Sequence, residues 1–362
     1  MRANRELWRP DWATPPGEIL AEALDERGMT QVELARRIGR PLKTVNEIAK
    51  GKAAITPETA LQLEFALGIA ARFWLDLERE YGEQLARKHA REEFSLSAAW
   101  AKRFPLRDLA KREWIAPAKS TVDQTEQLLK FFGVTSAEAW QRQWETVAAS
   151  FRRPKRLKSS PEALASWLRG GERLAADTKW PPFDAARLAA AVPKIRALTR
   201  LQPIAFEDQL IDLLGKCGVA LVLVREFEGT HLYGASYWIS PQRAVIQLSL
   251  RQRMDDQFWF SVFHEIDHLL RGSRRRYYVH GQGDEPGDEL EEKRADAFAA
   301  RVLIPEDDLA AFEKQGDLSD AAIEAFARSI GVSAGIVVGQ LQRHGLPRNR
   351  NSLKRAIRFR DD

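Results

Sequence analysis

The residues best suited to chemistry lie in Phe263-His264-Glu265-Ile266-Asp267-His268, an H-E-x-x-H pattern inside an apolar run. Residues four apart share a helix face, so His264 and His268 present two imidazole nitrogens to one Zn²⁺ ion. Glu265 stands one position on, about 100° around the helix. From there its carboxylate reaches a water activated at the metal rather than the metal itself. The flanks suit a buried helix. Asp255 and Asp256 are natural N-terminal residues, while Phe258, Val262, Phe263, Ile266, Leu269 and Leu270 are apolar, and Arg271-Gly272 supplies a stop.

A catalytic metal site that keeps one position open needs a third protein ligand. Leu290 to Ala300 reads as a second helix whose inward stripe is Ala295, Phe298, Ala299 and Val302. Glu292 faces the same way, three before Ala295 and seven before Ala299. Glu291 lines up with Ala295 and Phe298, so periodicity alone does not exclude it. Asp296, four after Glu292, is placed to accept a hydrogen bond from a ligand imidazole and fix its tautomer.

His264-Glu265-x-x-His268 with Glu292-x-x-Ala295-Asp296-x-Phe298-Ala299-Ala300-x-x-Leu303-Ile304-Pro305 resembles the ImmA/IrrE-type metallopeptidases. The step from Glu292 to Asp296 is also similar to the E-x-x-x-D of thermolysin-like zinc enzymes. The resemblance implies Glu292 as third Zn²⁺ ligand and Asp296 as the residue behind a ligand. Asp267 departs from the pattern: the family usually carries a small residue there, and this acid sits beside a ligand.

The bulk numbers bound the rest. A chain of 362 residues holds two or three domains, and 44% hydrophobic with 30% charged residues suits a helix-rich protein with real cores. No apolar run reaches the roughly 18 residues of a membrane helix. Met1-Arg2-Ala3-Asn4-Arg5-Glu6 opens no apolar h-region, which argues against a secretory signal. Cys217 is the only cysteine, which excludes an intramolecular disulfide and suits a reducing cytoplasm. A net charge of +5 permits nucleic-acid binding without requiring it.

Where the charge sits says more. Thr30 caps a helix through Gln31-Val32-Glu33, with Glu33 closing a capping box, Val32, Leu34, Ala35 and Ile38 inward, and Gly39 as the stop. A second short helix follows from Pro41 to Lys50, with Val45, Ile48 and Ala49 inward and Gly51 ending it. Its outer face carries Lys43, Asn46, Glu47 and Lys50, with Thr44 at the edge. Two short helices joined through a glycine turn, the second polar outward, predict a helix-turn-helix. Arg36, Arg37, Arg40, Lys43, Lys50 and Lys52 face Glu47 alone between residues 36 and 52, although residues 1–85 carry 12 basic and 14 acidic groups. An acidic module with a basic second helix has the polarised face that phosphate binding requires. Lys43, Thr44, Asn46 and Glu47 are the expected base readers, and Gln31, Lys50 and Lys52 the expected phosphate contacts. Thr30 to Ala60 resembles the Cro/phage-repressor-like modules, and closely the HigA-like antitoxins, through Gly51-Lys52-x-x-Ile55-Thr56-Pro57-Glu58-Thr59-Ala60.

Between these ends, Phe73 to Leu85 reads as a helix leaving the DNA module, serving either a dimer interface or the core. A helical stretch follows with Trp100, Trp114, Trp140 and Trp144, with caps expected at Thr121 or Asp123 and at Ser136. Aromatics at helical spacing read as core before they read as a ligand cage. Phe151 to Lys158 is a basic, proline-broken linker, and residues 161–216 give three helices. The period then changes to three β-rich runs, at Val219–Val224, Ala235–Ile239 and Ala244–Ser249. Val245–Leu248 fits either an interior strand or an exposed edge that pairs with a substrate chain. Ile336 to Leu341, in a second helix-turn-helix-like pattern over 319–346, is too apolar to read DNA and is expected to pack on the core. Arg343 to Arg360 holds seven basic residues and no acid, which suggests a flexible tail.

The expected organisation is mainly α with an α+β part. It comprises a lambda-repressor-like helix-turn-helix domain (1–85), a helical connecting segment (86–160), a zincin-like metallopeptidase domain with a small sheet (161–346) and a basic tail (347–362). The expected function is a cytoplasmic, homodimeric regulator that binds double-stranded operator DNA and carries a Zn²⁺-dependent endopeptidase domain. In it His264, His268 and Glu292 hold the metal and Glu265 is the base. Tyr277, Tyr278, His280 and His231 are candidates for stabilising the oxyanion. The alternative is a non-catalytic antitoxin-like repressor that binds a toxin or repressor protein, with a structural or sensory zinc domain. No membrane partner is expected.

Overall fold

The computed structural model describes residues 14–151, 160–228, 230, 233–249, 254–271, 277–280, 286–345 and 352–357. The linker Arg152–Lys158, the opening residues, Gly272 and His231 lie outside them, and Tyr277–His280 are described as backbone only. The chain divides into two compact units, residues 1–98 with 120–126 and residues 99–119 with 127–362. The connecting segment expected over 86–160 is thus shared between them.

The first unit contains α1 (Pro16–Asp25), α2 (Gln31–Ile38), α3 (Leu42–Ala49), α4 (Pro57–Leu67) and the 26-residue α5 (Ala71–Leu96). Local chemistry fixes the breaks. Thr30 accepts from the Glu33 amide at 3.2 Å to start α2, and Gly39 ends it at φ 65°, where a side chain would be strained. Only half of the capping box forms, because the Glu33 carboxylate turns forward to Arg37 one turn on. Thr56 starts α4 in the same way. Leu20, Leu24, Leu34, Ile38, Val45, Ile48, Leu63 and Trp74 fill the core. Val32 does not join them: it is 44% exposed, since the inward stripe of α2 is already completed by Leu34, Ala35 and Ile38.

The chain continues with α6 (Ala98–Ala101), α7 (Leu106–Lys111), α8 (Thr121–Phe132), whose residues up to Glu126 count with the first unit, and α9 (Ala137–Phe151). Ser120, not Thr121 or Asp123, caps α8 by accepting from the Asp123 amide at 3.1 Å, whereas Ser136 caps α9 as expected. Trp100, Phe104, Phe132 and Trp140 pack edge-to-face at 4.7–5.8 Å between centroids and form core rather than an open cage. Then come α10 (Pro161–Ala176), α11 (Ala185–Ala197) and α12 (Pro203–Lys216).

Four strands follow the change of period: β1 (Val219–Leu223), β2 (Gly234–Ser240), β3 (Arg243–Leu248) and, after α13 (Asp255–Arg271), β4 (Tyr277–His280). Their order is β1-β3-β2-β4, with β1 parallel to β3 and the other pairs antiparallel. Val245–Leu248 therefore lies inside the sheet, hydrogen-bonded on both sides, and the edge reading is wrong. Among the described residues the edge beyond β2 belongs to β4. The helices α14 (Pro286–Leu303), α15 (Glu306–Lys314), α16 (Asp320–Ile330) and α17 (Ala334–Arg343) complete the unit. As its apolar sequence requires, α17 packs against α13 through Ile336, Val337 and Val338.

Residues 352–357 are not a loose tail. Ala356 bridges to Met254, Ile357 is buried, and Lys354 donates to Asp256 at 2.7 Å with both side chains almost wholly enclosed. Gly335 and Gly339 of α17 leave the room in which Asp255 and Asp256 stand. The first turn of α13 is thereby clamped from two sides.

A His/Glu cluster and a helix-turn-helix face

Helix α13 is buried along nearly its whole length, and His264 and Glu265 are fully inaccessible. The i,i+4 spacing brings the Nε2 atoms of His264 and His268 to 3.1 Å from each other. Glu292, reaching across from α14, sets one oxygen 3.2 Å from each ring. One ligand-type atom from each of the three residues falls within 4.8 Å of the others. Among the described residues it is Glu292, not Glu291, that joins the two histidines in this cluster. On the far side of the ring, Nδ1 of His264 donates to Asp296 at 2.9 Å, as the E-x-x-x-D spacing predicts.

Electrostatics follow from this crowding. Burial alone would push the His264 imidazole down. The bonds to Asp296 and Glu292 and the charge of Glu265 outweigh it and hold the ring up at about 10. Asp267 is engaged elsewhere: both its oxygens accept from Nε of Arg271 one turn on, at 2.6 and 2.8 Å. Arg343 of α17 lies over Phe260, 3.4 Å from the ring centroid, and Phe260 neighbours His264. Sequence reasoning missed Arg343 and Lys354, because a basic stretch near a chain end carries no signal of burial.

Glu265 decides what the cluster is suited to. Both its oxygens are buried without a hydrogen-bond partner among the described residues. A buried carboxylate without a donor is costly to the fold and is retained where its partner arrives with a ligand. Two imidazoles and a carboxylate converging beside it fit a divalent cation with borderline N/O preference. Of the oxyanion candidates, His231 lies outside the described residues, and no side chain of Tyr277, Tyr278 or His280 is described.

In the first unit α3 presents the expected face. Lys43 and Lys50 are exposed, and Thr44, Asn46 and Glu47 are half-buried along its flank. Lys43 pairs weakly with Glu47 at 3.9 Å. Gln31 is half-buried at the start of α2, and Lys52 is exposed just past Gly51. Gly17 of α1 meets the carbonyls of Ile48 and Ala49, so the two helices touch backbone to backbone and fix the tilt of α3.

Comparison with known proteins agrees with both halves. Residues 20–74 match the helix-turn-helix family, and residues 219–341 match the IrrE N-terminal-like domain, a peptidase family. Over 73 residues the chain is 36% identical to YddM, an HTH-type transcriptional regulator of Escherichia coli, spanning 20% of this chain and 78% of that protein. The chain belongs to the helix-turn-helix regulators. Unlike a stand-alone reader, this regulator carries an IrrE-type domain on the same chain. Solved structures similar to it include a HigA-family addiction module antidote protein from Coxiella burnetii, at 35% identity over 23% of this chain and 90% of that one (TM-score 0.22). Another is the Pseudomonas aeruginosa antitoxin HigA, solved with its higBA promoter, at 32% identity over 22% and 86% (TM-score 0.21). Among the described residues no single helix of the regulator is long and apolar enough to cross a membrane.

Proposed function

We propose that this regulator binds a two-fold operator in double-stranded DNA as a homodimer and is a Zn²⁺-dependent endopeptidase of the cytoplasm. The observation that carries the enzymatic half is the orphaned carboxylate of Glu265 beside the convergent His264, His268 and Glu292 atoms. Those three would hold the zinc, which when bound polarises a peptide carbonyl and acidifies water. Glu265 takes the proton of the attacking water and passes it to the leaving amine. Asp296 holds the His264 ring in the tautomer whose Nε2 can serve as a ligand. The burial of α13 excludes bulk water from His264, Glu265 and His268, which strengthens the interactions these three make, while Glu292 reaches in from a partly exposed position on α14. An extended peptide has the free edge of β4 to pair with, since β3 has none to offer.

For the DNA half, Lys43, Thr44, Asn46 and Glu47 of α3 read base edges, while Gln31, Lys50 and Lys52 position the module on phosphates. A DNA reader and a peptidase on one chain are best explained if the state of one alters the other. Operator affinity of the full-length protein is therefore expected to depend on zinc. Gel-shift titrations with and without chelator, with a peptidase assay of wild type and Glu265→Gln, test both halves. Operator binding indifferent to chelator, with no hydrolysis by zinc-loaded protein, would replace this reading with a non-catalytic antitoxin that masks a toxin protein.

A further inference from the structure

The glycine at the head of β2 has no backbone reason to be glycine. Gly234 lies in ordinary extended strand, paired with Leu248 of β3 and His280 of β4, and is absent from the positive-φ glycines. Gly234 is paired on both sides although it opens the strand, and a glycine so placed marks a close approach. The approach here is to the metal helix. A Cβ on Gly234 would stand 2.7 Å from Oε1 of Glu265 and 2.9 Å from Cδ2 of Leu248, both nearer than real Cβ contacts come. The strand is buried there and Glu265 is fully enclosed, so a carboxylate pushed aside by a Cβ must shift within the core rather than out into solvent.

We propose that Gly234 is a positioning residue, whose missing side chain is the space that sets the Glu265 carboxylate in place; this rests on Glu265 being the base. Any side chain at 234 swings the carboxylate off its line while leaving His264, His268 and Glu292 untouched. Among the described residues Glu265 is held by shape rather than by hydrogen bonds, which leaves both oxygens available to the reacting water. Shape is a sufficient device, because an enclosed carboxylate with a wall on one side has few rotamers left.

A double-mutant cycle on the full-length protein tests this, using Gly234→Ala, Glu265→Ala and the pair, each read by zinc content and thermal melting. Zinc content is expected to stay at the wild-type level in all three. Gly234→Ala is expected to lower the melting temperature by roughly 3–8 °C in the wild-type background and by less than half of that with Glu265→Ala. Equal losses in both backgrounds would overturn the proposal and assign the glycine to Leu248 or the strand. With fluorescein-labelled casein as probe, Gly234→Ala is expected to cut kcat roughly 100-fold at unchanged KM, and the shorter Glu265→Asp to recover part of the loss. An inactive wild type with a strongly coupled cycle would sink the peptidase reading but leave Gly234 as the residue that sets Glu265.

Discussion

Zinc uptake by this protein is expected to depend steeply on pH, and the dependence to trace to His264. In the metal-free protein its ring is held up at about 10, because the bonds to Asp296 and Glu292 and the charge of Glu265 outweigh the burial that opposes them. At pH 7 the ring carries a proton that zinc must expel. Removing a proton held some three pH units above the solution costs about 4 kcal/mol, roughly a thousandfold in apparent affinity. The sign is fixed by the reference. An unfolded imidazole titrates near pH 6.5, so the metal-free fold gains stability from protonated His264 in full below that pH and loses it as pH rises toward 10. Zinc affinity runs the other way, rising about tenfold per pH unit from this ring alone between pH 6.5 and 8. Calorimetry in buffers of different ionisation enthalpy counts the protons released and measures the affinity together. At least one proton per zinc is expected at pH 7. Asp296→Asn weakens the hold on the proton and is expected to flatten the slope, while loss of ring orientation lowers the affinity itself by about 10–100-fold. Proton release near zero, with affinity flat from pH 6 to 8, would refute this account of the cluster.

Zinc content is expected to survive Glu265→Gln and Glu291→Gln but to fall sharply with Glu292→Gln, His264→Ala or His268→Ala; full occupancy in Glu292→Gln would remove it from the ligand set. On DNA, Asn46→Ala is expected to relax sequence preference at one base pair by about 1–3 kcal/mol, whereas Lys52→Ala weakens binding to every sequence and lowers the salt slope by about one. A changed preferred sequence for Lys52→Ala alone would reverse the assignment of roles. Lys354→Met strands the enclosed Asp256 carboxylate and is expected to cost about 3–5 kcal/mol, with much of it restored by adding Asp256→Leu. Urea melts of the single and double variants measure it, and a loss under about 1 kcal/mol would mean the C-terminal clamp is open in solution.

The sequence was enough wherever the placement of a side chain depends on short-range spacing. The four-residue step from His264 to His268 sets two rings on one helix face whatever surrounds it, and the step from Glu292 to Asp296 does the same across from it. Thr30, Gly39 and Gly51 punctuate α2 and α3 through backbone rules that act within a turn. Tertiary structure alone decided what depends on long-range partners. A one-position ambiguity between Glu291 and Glu292 is about 100° of helix rotation, settled by how α14 docks on α13. Val245–Leu248 reads the same inside a sheet or at its edge, because burial on both faces does not reveal which neighbours supply hydrogen bonds. The Tyr277–His280 strand that takes the edge was missed, as four residues are too few for a period. Lys354 carries a surface residue's type into a buried pair some 98 positions from Asp256, and only the packed chain shows that the acid was waiting for it. Gly234 is the clearest case. Nothing beside it in the sequence distinguishes a turn glycine from a space-making one, and the carboxylate it makes room for belongs to Glu265, on a helix two elements further along the chain.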